Sequence, residues 1–379
     1  MKVMTIVGTR PEVIKLCRVI HELDLTVQHV LVHTGQNYDY ELNQVFFDQL
    51  EVRKPDYFLN VAGDNLGHTL GNVLARSYEV LARERPDALL VLGDTNSCLA
   101  AICAKRLKIP VFHLEAGNRC FDERVPEEIN RRIVDHVSDV NLPYSEHARR
   151  YLLGEGIRSD LVIKTGSPMR EVLEHYRGRI EASDALERLM LAARQYFLVS
   201  AHREENVDDP GRLGMLLDTL RALQERWKVP VVFSTHPRTR QRLSALGIED
   251  DDPKLRFLPA MGFFEYVKLE TQALCVLSDS GTITEESSIL DFPAVTLREA
   301  HERPEGMDEG TLVMCGLERS RLLEAVELVI RQRRGEGRSF RMVGDYTVQD
   351  VSRKVVRLIL SYTDYVQRVV WRNPGSEDK

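Results

Sequence analysis

Three acidic residues stand where a carboxylate could move a proton: Asp94 in Leu92-Gly-Asp-Thr95, Glu115 in His113-Leu-Glu-Ala-Gly117, and Glu127 in Pro126-Glu-Glu128. The first two close apolar runs, and the third opens a helix. Acid–base chemistry needs such groups within reach of one reacting proton. His202, in Ala201-His-Arg-Glu-Glu205, ends another apolar run, where an imidazole can stabilise a charged leaving group or shuttle a proton. A different chemistry is offered by Asp279-Ser-Gly-Thr282, which joins the apolar run 274–277 to a helix expected over 284–290. The first N–H groups of that helix have no partner within it, the helix dipole is positive there, and Gly281 lets a ligand approach the backbone, so the turn suits a phosphate. Arg303 could add a charge-assisted contact. Arg10 and Lys15 sit at or near another helix start, where cations are mildly destabilising; an anionic ligand explains them, and so do two solvated side chains. Taken singly, the turn also reads as an ordinary capped helix, and Glu127 as a first-turn acid that suits the dipole.

The elements that must position these groups alternate. A strand is expected at 2–7, followed by a helix that Thr9 and Glu12 start as a capping box with Pro11 in its first turn. A second strand lies near 29–33, and helices are expected at 40–50 and 66–83. A strand at 88–92, a helix at 97–107 and a strand at 111–115 form one β-α-β unit, which puts Asp94 and Glu115 on the same edge of a parallel sheet. Ligands of open α/β sheets bind at that edge. Strands at 140–142 and 161–165 close the first half, and a charged helical stretch over 171–194 marks the boundary. Strands at 196–200, 231–234, 255–258, 275–278, 294–297 and 311–314 repeat the pattern. The last helix, 348–371, has more apolar surface than one domain need bury, so it is expected to cross back onto the first. The domains are therefore residues 1–168 with 352–379, and residues 169–351.

Composition removes several classes. Hydrophobic residues at 43% and charged residues at 29% describe a soluble globular protein, and a net charge of −7 argues against general nucleic-acid binding. No stretch reads as a membrane span, and the first residues read as a strand rather than a signal peptide. Six cysteines with no Cys-x-x-Cys pair point to reduced thiols and a cytoplasmic setting. The absence of Gly-x-Gly-x-x-Gly, of a P-loop and of Gly-x-Ser-x-Gly speaks against a nicotinamide enzyme, a P-loop nucleotidase and a serine hydrolase. His113 and Glu115 lie two apart, but no Cys or His cluster completes a metal site, so His113 is expected to be buried and hydrogen-bonded.

Together the motifs Gly8-Thr-Arg-Pro-Glu-Val-Ile-Lys15, Gly93-Asp-Thr95, His113-Leu-Glu-Ala-Gly117, Pro126-Glu-Glu-Ile-Asn-Arg131, His202-Arg-Glu-Glu205, Asp279-Ser-Gly281, Glu285-Glu286 and Glu302-Arg-Pro-Glu305 resemble the bacterial UDP-N-acetylglucosamine 2-epimerases over nearly the whole chain. Through Thr34-Gly-Gln-Asn-Tyr-Asp-Tyr-Glu-Leu-Asn43, Ala116-Gly-Asn-Arg-Cys-Phe121 and Ser200-Ala-His-Arg-Glu-Glu-Asn206, the sequence is most similar to the branch that converts UDP-2-acetamido-2,6-dideoxy-L-talose to UDP-N-acetyl-L-fucosamine. The resemblance implies an α/β fold of two Rossmann-like domains with a cleft between them, of the GT-B glycosyltransferase type. It also implies elimination of UDP to a 2-acetamidoglycal and re-addition, with no NAD, no essential metal, a UDP-2-acetamido sugar as partner, a homodimer, and a role in capsule or O-antigen polysaccharide.

By motif match Asp94, Glu115 and Glu127 are the acid/base set, and His202 holds the diphosphate. Arg10, Lys15 and Arg131 bind substrate, and Ser280, Gly281 and Thr282 hold phosphate with support from Arg303. Glu286 reaches the ribose, and Tyr266 meets the base edge through its backbone. The chain departs from the commoner enzymes at Thr282 for glycine, at Asn37 for histidine and at Asn118 for leucine. The second change argues against activation by UDP-N-acetylglucosamine, and the third suits a different hexose. Alternatives are a UDP-N-acetylglucosamine/UDP-N-acetylmannosamine 2-epimerase, a glycosyltransferase of the same fold, and a nucleotide-sugar sensor. Three carboxylates favour epimerisation, since transfer needs about one base.

Overall fold

A computed structural model describes residues 1–35, 40–247 and 254–372. Gln36 and Asn37, on which the expectation about activation rests, lie outside the described residues. The chain divides into two compact units, Met1–Leu173 with Asp345–Lys379, and Glu174–Gly344. The first unit holds strands β1 (Lys2–Val7), β2 (Gln28–His33), β3 (Tyr57–Phe58), β4 (Ala88–Leu92), β5 (Val111–Leu114) and β6 (Val140–Leu142). They pair in parallel in the order β3-β2-β1-β4-β5-β6. The second unit holds β7 (Phe197–Ser200), β8 (Val231–Thr235), β9 (Leu255–Pro259), β10 (Cys275–Ser278), β11 (Ala294–Thr296) and β12 (Val313–Met314), also parallel, in the order β12-β11-β10-β7-β8-β9. Counted within its own unit, each sheet has the doubly wound order, and the direction of winding reverses between β1 and β4 and between β7 and β10.

Continuous apolar runs form these strands because helices cover both faces of a parallel sheet. Ala88 to Val91 and Cys275 to Leu277 are all fully buried. Several short elements differ from the sequence pattern. The strand expected at 161–165 is a 3₁₀ turn, Ser159–Leu161, followed by one bridge from Val162 to Asn141 on the three-residue β6. The residues after it pair only briefly with the sheet edge, through the Ile163 and Thr165 amides on the Asn141 and Pro143 carbonyls. β3 went unseen because two residues carry no periodicity. The helix expected at 97–107 is a 3₁₀ turn, Asn96–Leu99, leading into Ala100–Arg106. The stretch 171–194 resolves into three short helices, Met169–His175, Arg177–Glu181 and Ala185–Arg188.

The last helix, Val351–Val369, belongs to the first unit and packs along the helix Arg10–Thr26. Its buried face includes Val351, Val355, Val356, Ile359 and Val366. Ties around the return also lie inside that unit: Arg170 Nη1 donates to the Thr347 carbonyl at 2.6 Å, and the Ser352 amide donates to Glu171 at 2.9 Å. Residues 169–173 and 345–351, which the sequence reading places in the second domain, thus cluster with the first unit. Among the described residues no helix is long and apolar enough to cross a membrane.

Candidate active site

In the first unit the acids follow adjacent strands. β4 and β5 pair Leu92 with Leu114, so Asp94 and Glu115 leave the sheet side by side at its C-terminal edge. Arg131, on the helix Pro126–Val137, donates to Asp94 Oδ2 from Nη2 at 2.6 Å and from Nε at 3.1 Å, and to buried Glu128 from Nη1 at 2.7 Å. Asn130 Nδ2 holds the Asp94 carbonyl at 2.9 Å. Lys15, only 4% exposed, forms a short ion pair with Glu115, and Asn118 Nδ2 lies 3.5 Å from the other Glu115 oxygen. Each acid therefore sits against a cation. Arg10 lies at the same helix start as Lys15, with its guanidinium 5.3 Å from the centre of the Phe46 ring. Glu127 is half-buried in the first turn of the Arg131 helix, four residues before it and so on the same face.

Buried groups hold these loops in place. The Gly117 amide donates to both oxygens of Asp135 at 3.1 Å, and Arg119 Nη1 donates to the same carboxylate at 2.7 Å. His113 places Nδ1 2.8 Å from Asp135 and donates from Nε2 to the Gly93 carbonyl at 2.7 Å. One buried His–Asp pair thus touches the backbone just before Asp94 and the turn just after Glu115. His113 is buried and hydrogen-bonded, as its sequence context suggests. Glu115 itself has φ +66°, a left-handed conformation that costs a non-glycine residue about 1–3 kcal/mol. The surrounding bonds impose it, and it aims the side chain toward Lys15.

In the second unit β10 delivers Asp279, Ser280, Gly281 and Thr282, and the neighbouring β7 delivers His202. Asp279 is fully buried and ties the two loops together. It accepts from the amides of His202 and Arg203 at 3.0 Å each, from Asn206 Nδ2 at 3.1 Å, and lies 3.1 Å from His202 Nδ1. Burial pushes its carboxyl up, but the His202 imidazole and these hydrogen bonds outweigh it and bring it down to about 2. An ionised Asp279 favours a proton on His202 Nδ1, which leaves the Nε2 edge of the half-exposed ring for a ligand. Ser280 Oγ and Thr282 Oγ1 lie 3.0 Å apart, and Thr282 donates to Glu286 at 3.1 Å. The helix Ile283–Leu290 begins with no side-chain cap, so the turn keeps the character of an anion site.

A Cβ at position 281 would meet Glu302 Oε1 at 2.4 Å, so a larger residue there would displace the Glu302 carboxylate; Arg303 Nη1 would lie 3.9 Å from it. Glu302 is itself ion-paired with buried Arg298. Arg303 reaches the turn while its Nε and Nη2 bind buried Glu285 at 3.0 and 2.9 Å.

Tyr266 and Glu286 share a further group of ionisable side chains with buried Glu270, joined to the turn through the Thr282–Glu286 hydrogen bond. Burial, then the charge of Glu286, pushes the Glu270 carboxyl well up, and burial pushes the Tyr266 phenol well up. Sequence reasoning gave Glu12 only a capping-box role and left Glu128, Asp135 and Glu270 without roles. A signal existed for two of them: Glu128, Arg131 and Asp135 recur at helical spacing on one buried face, a polar stripe where an apolar one is expected. Among the described residues no group of three His, Cys, Asp or Glu could hold a metal ion.

Two sheets of doubly wound order, one edged with acids and the other with a Ser-Gly-Thr turn and a histidine, define a GT-B-like nucleotide-sugar enzyme. The family model described as UDP-N-acetylglucosamine 2-epimerase matches residues 21–360. The structure of UDP-N-acetylglucosamine 2-epimerase from Rickettsia bellii is 54% identical, with a TM-score of 0.92 over 98% of this chain and 100% of that one. The Methanocaldococcus jannaschii UDP-GlcNAc 2-epimerase in complex with UDP-GlcNAc and UDP is 34% identical, with a TM-score of 0.88 over 96% and 100%. UDP-2,3-diacetamido-2,3-dideoxy-D-glucuronate 2-epimerase of Pseudomonas aeruginosa is 35% identical over 86% of this chain and 91% of its own. The chain belongs to the non-hydrolysing UDP-N-acetylglucosamine 2-epimerase family and is an isomerase, a UDP-sugar 2-epimerase.

Proposed function

We propose that the protein inverts C2 of a UDP-2-acetamido sugar by eliminating UDP across C1 and C2 and then adding UDP back at C1 with a proton delivered to the other face of C2. A carboxylate takes the C2 proton, the C–H electrons form the C1–C2 double bond, and the C1–O bond breaks toward the diphosphate. Re-addition reverses these steps, with a proton delivered from the opposite side. The observation that carries the reading is the pair Asp94 and Glu115, at adjacent strand ends and each held by its own cation. Glu127 completes the acid/base set. Arg10, Lys15 and Arg131 bind the substrate, while His202, Ser280, Gly281, Thr282 and Arg303 hold the diphosphate as it departs. Glu286 takes the ribose and the Tyr266 backbone takes the base.

The sugar we assign is UDP-2-acetamido-2,6-dideoxy-L-talose, giving UDP-N-acetyl-L-fucosamine for surface polysaccharide. Asn118 supports it, since it sets an amide beside Glu115 where the commoner enzymes have leucine. A second reading, the UDP-N-acetylglucosamine/UDP-N-acetylmannosamine pair, is favoured by what the Rickettsia and Methanocaldococcus structures are called. Either reading calls for a cytoplasmic homodimer with neither NAD nor an essential metal. Incubation in D2O with a panel of UDP-acetamido sugars, followed by proton NMR, tests both. The epimerised product should carry deuterium at C2, and the sugar turned over fastest identifies the substrate. Turnover without label at C2 would exclude elimination.

A further inference from the structure

Glu12 is a buried carboxylate to which the epimerase reading gives no task. It lies in the first turn of the helix Arg10–Thr26 and is 1% exposed. Its Oε2 accepts from the Gly8 amide at 3.0 Å and the Thr9 hydroxyl at 2.8 Å, while its Oε1 accepts from the Thr95 hydroxyl at 3.1 Å. The capping box expected from Thr9 and Glu12 is therefore only half formed. Glu12 reaches back as such a box requires, but the Thr9 side chain makes no cap hydrogen bond and donates to the carboxylate instead. The other half of the interaction goes to a different loop. Thr95 follows Asp94, and Glu12 lies between Arg10 and Lys15 in sequence. One carboxylate thus bridges the ends of β1 and β4, the two strands between which the first sheet reverses its winding.

We propose that Glu12 is a positioning residue for the epimerisation: it fixes the turn carrying Asp94 relative to the helix start carrying Arg10 and Lys15, so that acid and cations meet one substrate in register. This rests on the epimerase reading above. Stability alone does not call for such a group. Burial pushes its carboxyl up to about 7 against the hydrogen bonds from Thr9, Gly8 and Thr95, so near neutral pH its ionised form costs folding free energy. The nearby cations are directed elsewhere, Lys15 to Glu115 and Arg131 to Asp94 and Glu128. Cys98 Sγ, 4.0 Å from Oε1, is pushed up by burial and by the charges of Glu12 and Asp94. What the carboxylate supplies is an acceptor shared between two loops, and a misplacement of about 1 Å at a reacting group can lower a rate about a hundredfold.

The test compares wild type with Glu12→Ala, Glu12→Gln and Thr95→Val on the sugar that the D2O panel identifies. Glu12→Ala should lower kcat about a hundredfold while KM changes less than about threefold, the split expected when orientation and not binding is lost. Glu12→Gln should recover kcat to within about tenfold, because its carbonyl can serve Gly8 and Thr9 while its amide donates to the Thr95 oxygen. Thr95→Val should lower kcat about tenfold with little change in KM. Amide hydrogen exchange supplies a readout that needs no turnover: in Thr95→Val, which keeps the fold if Glu12→Ala does not, protection should fall in residues 8–12 and 93–98 together, and in Glu12→Gln, whose side chain keeps the bridge, it should fall less in both. A kcat unchanged in Glu12→Ala, or exchange in residues 93–98 that ignores changes at Glu12, would overturn the proposal. Failure of every sugar to turn over would count against the epimerase reading, and the exchange result would still decide whether Glu12 couples the two turns.

Discussion

At Asp279 two effects oppose each other. Burial disfavours the carboxylate, while the His202 imidazole and three N–H donors favour it, and the second set prevails. A folded-state pKa of about 2, below the ordinary 3.8, means stability that is present above 3.8 and lost as pH falls toward 2. His202 is 42% exposed, so solvent screens its share and the hydrogen bonds set the scale. Asp279→Asn should therefore cost about 1–3 kcal/mol at neutral pH. Urea unfolding at pH 7 and at pH 3 checks this, and the gap to wild type should narrow at the lower pH. The same substitution takes the carboxylate from His202, so kcat should fall as well.

The turn after β5 shows how an element can be shaped for a site at the expense of local comfort. Glu115 and Gly117 both have positive φ, at +66° and +83°, within three residues. A Cβ on Gly117 would meet the Ala148 carbonyl at 2.5 Å, and that backbone belongs to the helix Glu146–Gly154 and cannot swing aside. Asp135 and His113 fasten the turn from below. Gly117→Ala should cost about 1–3 kcal/mol of stability, from strain and from the forced shift. It should also lower kcat by more than that loss explains, since the turn carries Glu115. Thermal unfolding and steady-state kinetics on one preparation separate the two effects. A variant with reduced stability and normal kcat would show that Glu115 does not depend on this turn.

At the scale of the molecule, the first unit is assembled from both ends of the chain. The helix Val351–Val369 lies along the helix Arg10–Thr26, whose first residues carry Arg10, Glu12 and Lys15. Ile359 is fully buried in that face, so Ile359→Ala should cost about 2–5 kcal/mol, read as a lower midpoint in denaturant. The sequence determined most of the strand and helix alternation along the chain, the positions of Asp94, Glu115, His202 and the Asp279 turn at strand ends, and the return of the last helix. Each of these follows from local apolar runs, turn residues and the rule that parallel strands present their C-terminal ends on one edge. Only the tertiary structure decided that Glu12 serves Thr95, that Asp135 anchors the Glu115 turn, that Asp279 faces His202, and that Arg303 binds Glu285. The reason is physical: a buried polar group must find its hydrogen bonds, and its partner here is set by packing between segments 18 to 83 residues apart, which no local period records.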